Sequence, residues 1–347
     1  FGRITVRPAG DTEERRTVAD STCCVTTPRK RLMIFSGRSN PALAARIADK
    51  LDVRLGSVEL KTFSNGEIYA RYGENVRGAD MFIVQSPSDD INSELMELFI
   101  MIQAAQLASA KRITAVMPYY PYSRQDKKSA AREPISARLV ATLLEASKVD
   151  RVLSMDLHQG QIQGFFEIPV DHMTAVPMLA DYFRYKDFGG APLVAVSADA
   201  GGVKLAKRFI NRVPGCDLAV LTKMRPEHNV AATMHFIGDV RDKIAIIVDD
   251  MIDTAGSITS AIDTLYEQGA REVYVTATHG LFSGPAFDRI RASAVKEVVV
   301  TDTVHVEAGD CEKVKVLSVA DILARTIRNV FDDESVSEIF AGDNQLF

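Results

Sequence analysis

Two aspartates, Asp249 and Asp250, are followed at short range by Asp253, Thr254, Ala255, Gly256 and Ser257. That spacing joins two kinds of recognition. Small residues from Thr254 to Ser257 let backbone N–H groups converge on an anion at the positive end of a helix. Carboxylates repel a phosphate, so aspartates beside such a cradle need another task, and accepting hydrogen bonds from a vicinal diol is one. A ribose 5-phosphate carries both groups, about one sugar ring apart. The bland alternative is an acidic turn on an ordinary α/β sheet.

Five further blocks carry chemistry. Ser197, Ala198, Asp199, Ala200, Gly201 and Gly202 form a second strand–glycine–helix turn, with Asp199 placed to touch a metal riding on phosphates, although such turns are common. Asp156, Leu157, His158 and Gln159 follow an apolar run, where ligands bind in parallel sheets; a satisfied structural histidine is the plainer reading. Mg²⁺ prefers oxygen, so His158 would anchor a largely hydrated ion. The stretch from Tyr119 to Lys128 offers aromatic faces for a base, and Arg124, Lys127 and Lys128 for phosphates. Phe63, Ser64, Asn65, Gly66 and Glu67 read as a turn with an exposed aromatic, for which ordinary turn chemistry is the competitor. Finally, Lys223, Met224, Arg225 and Pro226 read as a mobile basic loop beyond the strand 217–222, or as a solvated charge pair.

The elements that must position these residues alternate. Strands are expected at 32–35, 58–63, 67–71, 81–85, 112–117 and 151–155, with helices at 41–51, 91–108 and 135–148. Asn40 and Pro41 suit the cap and first turn of the first helix. The second half repeats the style, with strands at 193–197, 217–222, 244–248, 272–277 and 297–301, a strand-like run at 232–237, and helices at 201–212, 257–268, 285–292 and 319–331. Alternation of this kind predicts an α/β protein with a mostly parallel sheet covered on both faces, here twice. The expected divisions are an extension over 1–30, one domain over 31–178, a second over 179–333, and a tail over 334–347, with the break between domains in a helical stretch after His172.

A chain of 347 residues has room for two cores, and 46% hydrophobic with 25% charged residues is a globular composition. A net charge of −5 gives no global case for nucleic-acid or membrane binding, and no apolar run suggests a membrane span. Cys23, Cys24, Cys216 and Cys311 have neither disulfide-framework density nor zinc spacing, which fits a reducing cytoplasm. Residues 1–30 lack sustained periodicity; Asp11, Glu13, Glu14 and Asp20 count against a transit peptide and favour a floppy extension.

Taken together, the motifs carry a resemblance. The turn Asp249–Ser257 resembles the ribose-phosphate loop of the type I phosphoribosyltransferases. Phe63–Glu67, Tyr122–Asp126, Arg132–Ser136, Asp156–His158, Gln161–Phe166 and Asp249–Ser257, in this order and spacing, resemble the ribose-phosphate diphosphokinases (phosphoribosyl pyrophosphate synthases) of the bacterial class I kind, over about Arg31 to Phe340. The resemblance implies two tandem phosphoribosyltransferase-like domains with the active site between them. It implies transfer of the β,γ-diphosphoryl group of Mg-ATP to the C1 hydroxyl of ribose 5-phosphate, with release of AMP. Phe63, Asn65, Gly66 and Glu67, reaching from a second subunit, and Arg124, Gln125 and Asp126 would hold ATP. His158 and Asp199 would hold Mg²⁺; Lys223 and Arg225 would be the catalytic cations. Arg225, Asp249, Asp250, Asp253, Thr254, Ala255, Gly256 and Ser257 would form the ribose 5-phosphate site. The family also implies homohexamers built from dimers, activated by phosphate and inhibited by ADP at a site between subunits, parts of which Arg77 and Ser335–Ser337 resemble.

The chain departs from the family pattern in places. Met224 replaces the middle arginine of Lys-Arg-Arg-Pro, Leu205 and Lys207 stand where two arginines are usual, and Ala198 replaces a proline. Two rivals therefore stand beside the diphosphokinase. A nucleobase phosphoribosyltransferase shares the ribose-phosphate turn but leaves Arg124 and Phe63–Glu67 without work. A non-catalytic regulatory subunit of the same family is the alternative that Met224 keeps open.

Overall fold

Alternation of apolar side chains along each strand, with one set for each face, governs the architecture. In β1 (Leu32–Ser36), Ile34 packs into one core and its neighbour Phe35 into another. In β4 (Asp80–Val84), Phe82 joins the first core while Met81 and Ile83 join the second. Strands with both faces buried read as continuous apolar runs, which is why these were visible in the sequence.

The computed structural model describes residues 30–224, 233–309 and 311–340. The expected extension, except Lys30, and residues 341–347 of the expected tail lie outside them. From Arg31 onward the chain forms one compact unit containing two large sheets. The first has five parallel strands in the order β1-β4-β5-β6-β7, where β5 is Arg112–Met117, β6 is Arg151–Met155 and β7 is Val170–Met173. The second has seven strands in the order β10-β9-β8-β11-β12-β13-β14. These are β8 (Leu193–Ser197), β9 (Asp217–Met224), β10 (Thr233–Ile237), β11 (Ile244–Ile252), β12 (Glu272–Gly280), β13 (Glu297–Thr301) and β14 (Val314–Leu317). Only β10 runs antiparallel to its neighbour. A separate hairpin pairs β2 (Val58–Thr62) with β3 (Ile68–Tyr72).

Helices cover the faces. α2 (Ile91–Leu107) and α3 (Ser136–Ala146) bury their apolar sides on the outer face of the first sheet. α6 (Gly256–Glu267) and α7 (Ala286–Ala292) do the same for the second sheet. Between the sheets, α1 (Pro41–Lys50), α4 (Val176–Tyr185), α5 (Val203–Arg212) and α8 (Ala320–Asp332) share a single core with both. The Asn40 side chain accepts from the Leu43 amide at 3.2 Å, so α1 starts as expected.

Three expectations change. Strand β11 runs on through Asp249 and Asp250 to Ile252, paired with β12, so both aspartates sit on the strand and only residues 253–255 make the turn. Lys223 and Met224 belong to β9, with Lys223 opposite Met234, where a basic loop was expected; Arg225 lies outside the described residues. Strands β7 and β14 went unread: both are short edge strands carrying Asp171, His172 and Lys315, whose polarity hides them from an apolar pattern. The helical stretch expected after His172 is α4, and the expected division between 178 and 179 lies within it.

Candidate active site

The carboxyl ends of the two sheets meet. From β6 the chain turns at Asp156, whose φ of 38° is left-handed, and then presents His158. From β11 of the other sheet comes Asp250, and His158 Nδ1 lies 2.7 Å from Asp250 Oδ2. Residues 92 apart in the chain are thus paired across the sheets. The hydrogen bond with Asp250 raises the pKa of His158 above its ordinary value. Burial opposes ionisation of Asp250, but the hydrogen bond and charge of His158 outweigh it and hold this carboxyl low. Asp249 goes the other way: burial, and then the Asp250 charge, push its pKa well up, with Asp199 adding to the effect. Asp249 also accepts from the Asp250 amide at 2.9 Å. Crowded carboxylates of this kind favour a ligand that supplies positive charge or hydroxyl donors.

A cavity of about 550 Å³ lies over this pair, and Asp199, Asp249, Asp250 and His158 all line it. Asp199 Oδ1 accepts from the Gly202 amide at 2.8 Å, holding the turn before α5. Among the described residues no three His, Cys, Asp or Glu side chains cluster as a complete metal site. His158 and Asp199 fit a cation that keeps water or substrate phosphate as its other ligands, which is how Mg²⁺ is usually held. The gathering of Asp199, Asp249 and Asp250 on the wall of one cavity is the observation that favours one.

Next to the cavity is the α6 turn. Ala255 is left-handed (φ 59°) and no side chain caps the helix, leaving its N-terminal amides to an anion. Thr254 and Ser257 are exposed there. Arg289 Nη1 donates to the Thr254 carbonyl at 2.8 Å and steadies the turn. Arg124 Nη2 lies 2.7 Å from Asp253 Oδ2, so the expected nucleotide loop and the ribose-phosphate turn are joined directly. Burial works against Asp253 ionising, but hydrogen bonds from Ser283 and Arg124 outweigh it. Gln125 accepts from the Ser136 hydroxyl at 2.6 Å, which ties the loop to α3. Asp126 adds its charge to those that favour protonated His158.

The Phe63–Glu67 segment is the tip of the β2–β3 hairpin. The Phe63 amide donates to Glu67 O at 2.8 Å, Gly66 is left-handed at φ 92°, and Asn65 Oδ1 accepts from the Glu67 amide at 3.1 Å. Phe63 is 52% exposed, and none of these residues lines the cavity. The Phe63 ring packs edge-on against Tyr69, with centroids 6.1 Å apart. Arg77 Nη1 donates to Ser109 Oγ at 3.2 Å, and Ser335 O accepts from Asn329 at 2.7 Å.

Sequence reasoning did not single out His172, Lys204 or Arg208, which line the same cavity. Lys204 and Arg208 are four apart on α5, so helical spacing after the Asp199 turn was the available signal. His172, on the unread strand β7, gave none. Its Nε2 accepts from the Leu157 amide at 2.9 Å, and burial lowers its pKa.

A family model described as the N-terminal domain of ribose phosphate pyrophosphokinase matches residues 32–147, and one described as the phosphoribosyl synthetase-associated domain matches 216–341. The chain is 50% identical over 314 residues to ribose-phosphate pyrophosphokinase of Clostridium tetani, covering 90% of this chain and 98% of that protein. It is 48% identical over 317 residues to the chloroplastic ribose-phosphate pyrophosphokinase 2 of Spinacia oleracea, covering 91% of this chain and 80% of that protein. The crystal structure of phosphoribosylpyrophosphate synthetase from Mycobacterium smegmatis superposes with a TM-score of 0.83 at 46% identity, covering 88% of this chain and 100% of that one. Pyrophosphokinase and diphosphokinase are two names for one activity. With half of its residues identical across the length of such proteins, and with the matching fold, the chain belongs to the ribose-phosphate pyrophosphokinase family, the enzymes that make phosphoribosyl pyrophosphate.

Proposed function

We propose that the cavity between the sheets binds Mg-ATP and ribose 5-phosphate together, and that the C1 hydroxyl attacks the β-phosphorus with AMP as leaving group. The observation that carries this reading is the His158–Asp250 contact, which brings the nucleotide-side turn to the sugar-side strand. Asp249 and Asp250 accept from the ribose diol, and the uncapped amides of α6 with Thr254 and Ser257 hold the 5-phosphate. Arg124, fixed against Asp253, marks where the two substrates adjoin.

His158 and Asp199 would hold Mg²⁺, which screens charge on the phosphates. Everything else asked of the protein is positioning and charge neutralisation, as phosphoryl transfer requires. Lys223 and Arg225 supply cations to the developing charge, and no side chain is needed as a covalent partner. The hairpin tip at Phe63 would complete the ATP site of a neighbouring copy, since it does not line the cavity between the sheets of its own chain. A homohexamer of dimers, with phosphate and ADP acting between subunits at Arg77 and Ser335–Ser337, belongs to the same reading. Free thiols at Cys216 and Cys311 suit a reducing compartment, the cytoplasm by this account.

Purified protein given Mg²⁺, ATP and ribose 5-phosphate is expected to form AMP and phosphoribosyl pyrophosphate in equal amounts. Formation of ADP in place of AMP would refute the reading.

A further inference from the structure

His279, near the end of β12, is buried at 1% exposure and no step described so far uses it. Its Nε2 lies 3.1 Å from the Met155 carbonyl and 3.2 Å from that of Asp156, both on the opposite sheet's chain. Carbonyl oxygens only accept, so Nε2 carries a proton. Thr303 Oγ1 lies 2.9 Å from Nδ1 and donates to it. The Thr303 amide in turn donates to Thr301 Oγ1 at 3.2 Å, and that hydroxyl donates to Thr278 O at 2.7 Å. The two carbonyls at Nε2 fix the tautomer and leave Nδ1 as the acceptor for the Thr303 hydroxyl, which also lies 3.1 Å from Thr278 O. Burial keeps the ring neutral by pushing its pKa down.

Asp156 is the residue that this ring holds. It is non-glycine, left-handed and therefore strained, and such a conformation persists only where its surroundings over-determine it. Its Oδ2 accepts from the Ala175 amide at 2.8 Å and from Thr278 Oγ1 at 2.6 Å. Neighbours Thr278 and His279 thus grip the side chain and the backbone of one residue. Two residues later comes His158.

We propose that His279 is a positioning residue for diphosphoryl transfer: reaching from the sugar-side sheet, it holds the strained turn at Asp156 so that His158 faces Asp250 and the cavity. This rests on the assignment of His158 to the nucleotide and its metal. A histidine with only a packing role would change stability without distinguishing one substrate from the other. A positioning role predicts a distinction, because ribose 5-phosphate is held by a different segment.

The experiment compares His279→Leu with His279→Gln, whose amide N–H₂ can replace the Nε2–H donor, and with His158→Ala. Kinetics for both substrates are measured alongside the rate at which diethyl pyrocarbonate modifies His158 in the substrate- and metal-free protein, read by peptide mass spectrometry. His279→Leu should lower kcat by at least about tenfold and raise the KM for Mg-ATP severalfold, while the KM for ribose 5-phosphate stays within about twofold. His158 should become more reactive, and His279→Gln should restore most of each effect. If His279→Leu does not fold, Thr303→Val, which removes the donor to Nδ1, should give the same pattern more weakly. Equal effects on both substrates, or unchanged His158 reactivity beside a lowered melting temperature, would overturn the proposal. An unimpaired His158→Ala enzyme would instead overturn the assignment of His158 on which it rests.

Discussion

The His158–Asp250 pair makes one contribution to stability whose pH dependence has a definite sign. The folded-state pKa of His158 is raised above its ordinary value, so its share is fully present below about pH 6.5 and is lost as pH rises through the folded value. The Asp250 carboxyl is lowered, so its share is lost only as pH falls through its own folded value. In metal-free buffer His158→Ala should therefore cost about 1 kcal/mol near pH 6, allowing for solvent screening of a part-exposed pair. That corresponds to a melting-temperature difference of about 1–3 °C, shrinking towards zero by about pH 9. A difference of the same size at both pH values would show that His158 contributes packing and no charge. Lys223 belongs to the same scale. As a point charge it should act chiefly when charge develops, so Lys223→Ala should lower kcat at least about a hundredfold and leave the KM for ribose 5-phosphate nearly unchanged. A near-normal kcat would remove Lys223 from catalysis.

The end of β11 and two strand-to-helix turns set the positions of the acidic groups, and the turn before α5 offers a direct test. A Cβ on Gly202 would stand 2.8 Å from Ser197 Oγ, and Ser197 is wholly buried, so it has nowhere to go. Gly202→Ala should destabilise by about 1–3 kcal/mol and, by disturbing the amide that Asp199 accepts from, raise the Mg²⁺ concentration needed for activity. Urea unfolding with Mg²⁺ titration checks both, and unchanged values would mean the turn does not hold Asp199. These turns were legible in the sequence because apolar strand, small residues and helical period follow one another directly. The long extent of β11 was not legible: Asp249 and Asp250 look like turn residues until β12 is seen to pair alongside them. Lys223 was misread for a related reason, since a Lys-Met-Arg-Pro stretch has the composition of a loop while the ladder to β10 carries the strand through Met224.

At the scale of the molecule, what sequence could not supply is the contact between sheets. Arg124 with Asp253, His158 with Asp250, and Thr278 and His279 with Asp156 pair residues far apart in the chain, and only the assembled topology brings them together. The seam is also bridged by Arg46 with Asp302 at 2.7 Å and by Arg112, which pairs with Asp80 and, at 2.6 Å, with Asp333. The family resemblance named the substrates that a cavity alone would have left as some anion and some diol. Assembly of copies makes its own prediction. If the Phe63 hairpin completes a neighbour's site, Phe63→Ala and Asp250→Asn proteins, each inactive alone, should regain part of the activity when their subunits are mixed and exchanged. No recovery after proven exchange would confine the hairpin to its own chain. The central chemical claim is tested most directly by supplying Mg²⁺, ribose 5-phosphate and ATP labelled at its β-phosphorus. Diphosphoryl transfer predicts that the label moves to the phosphate bonded at C1 of the sugar while the AMP formed carries none; label retained in ADP, with only the terminal phosphate transferred, would contradict it.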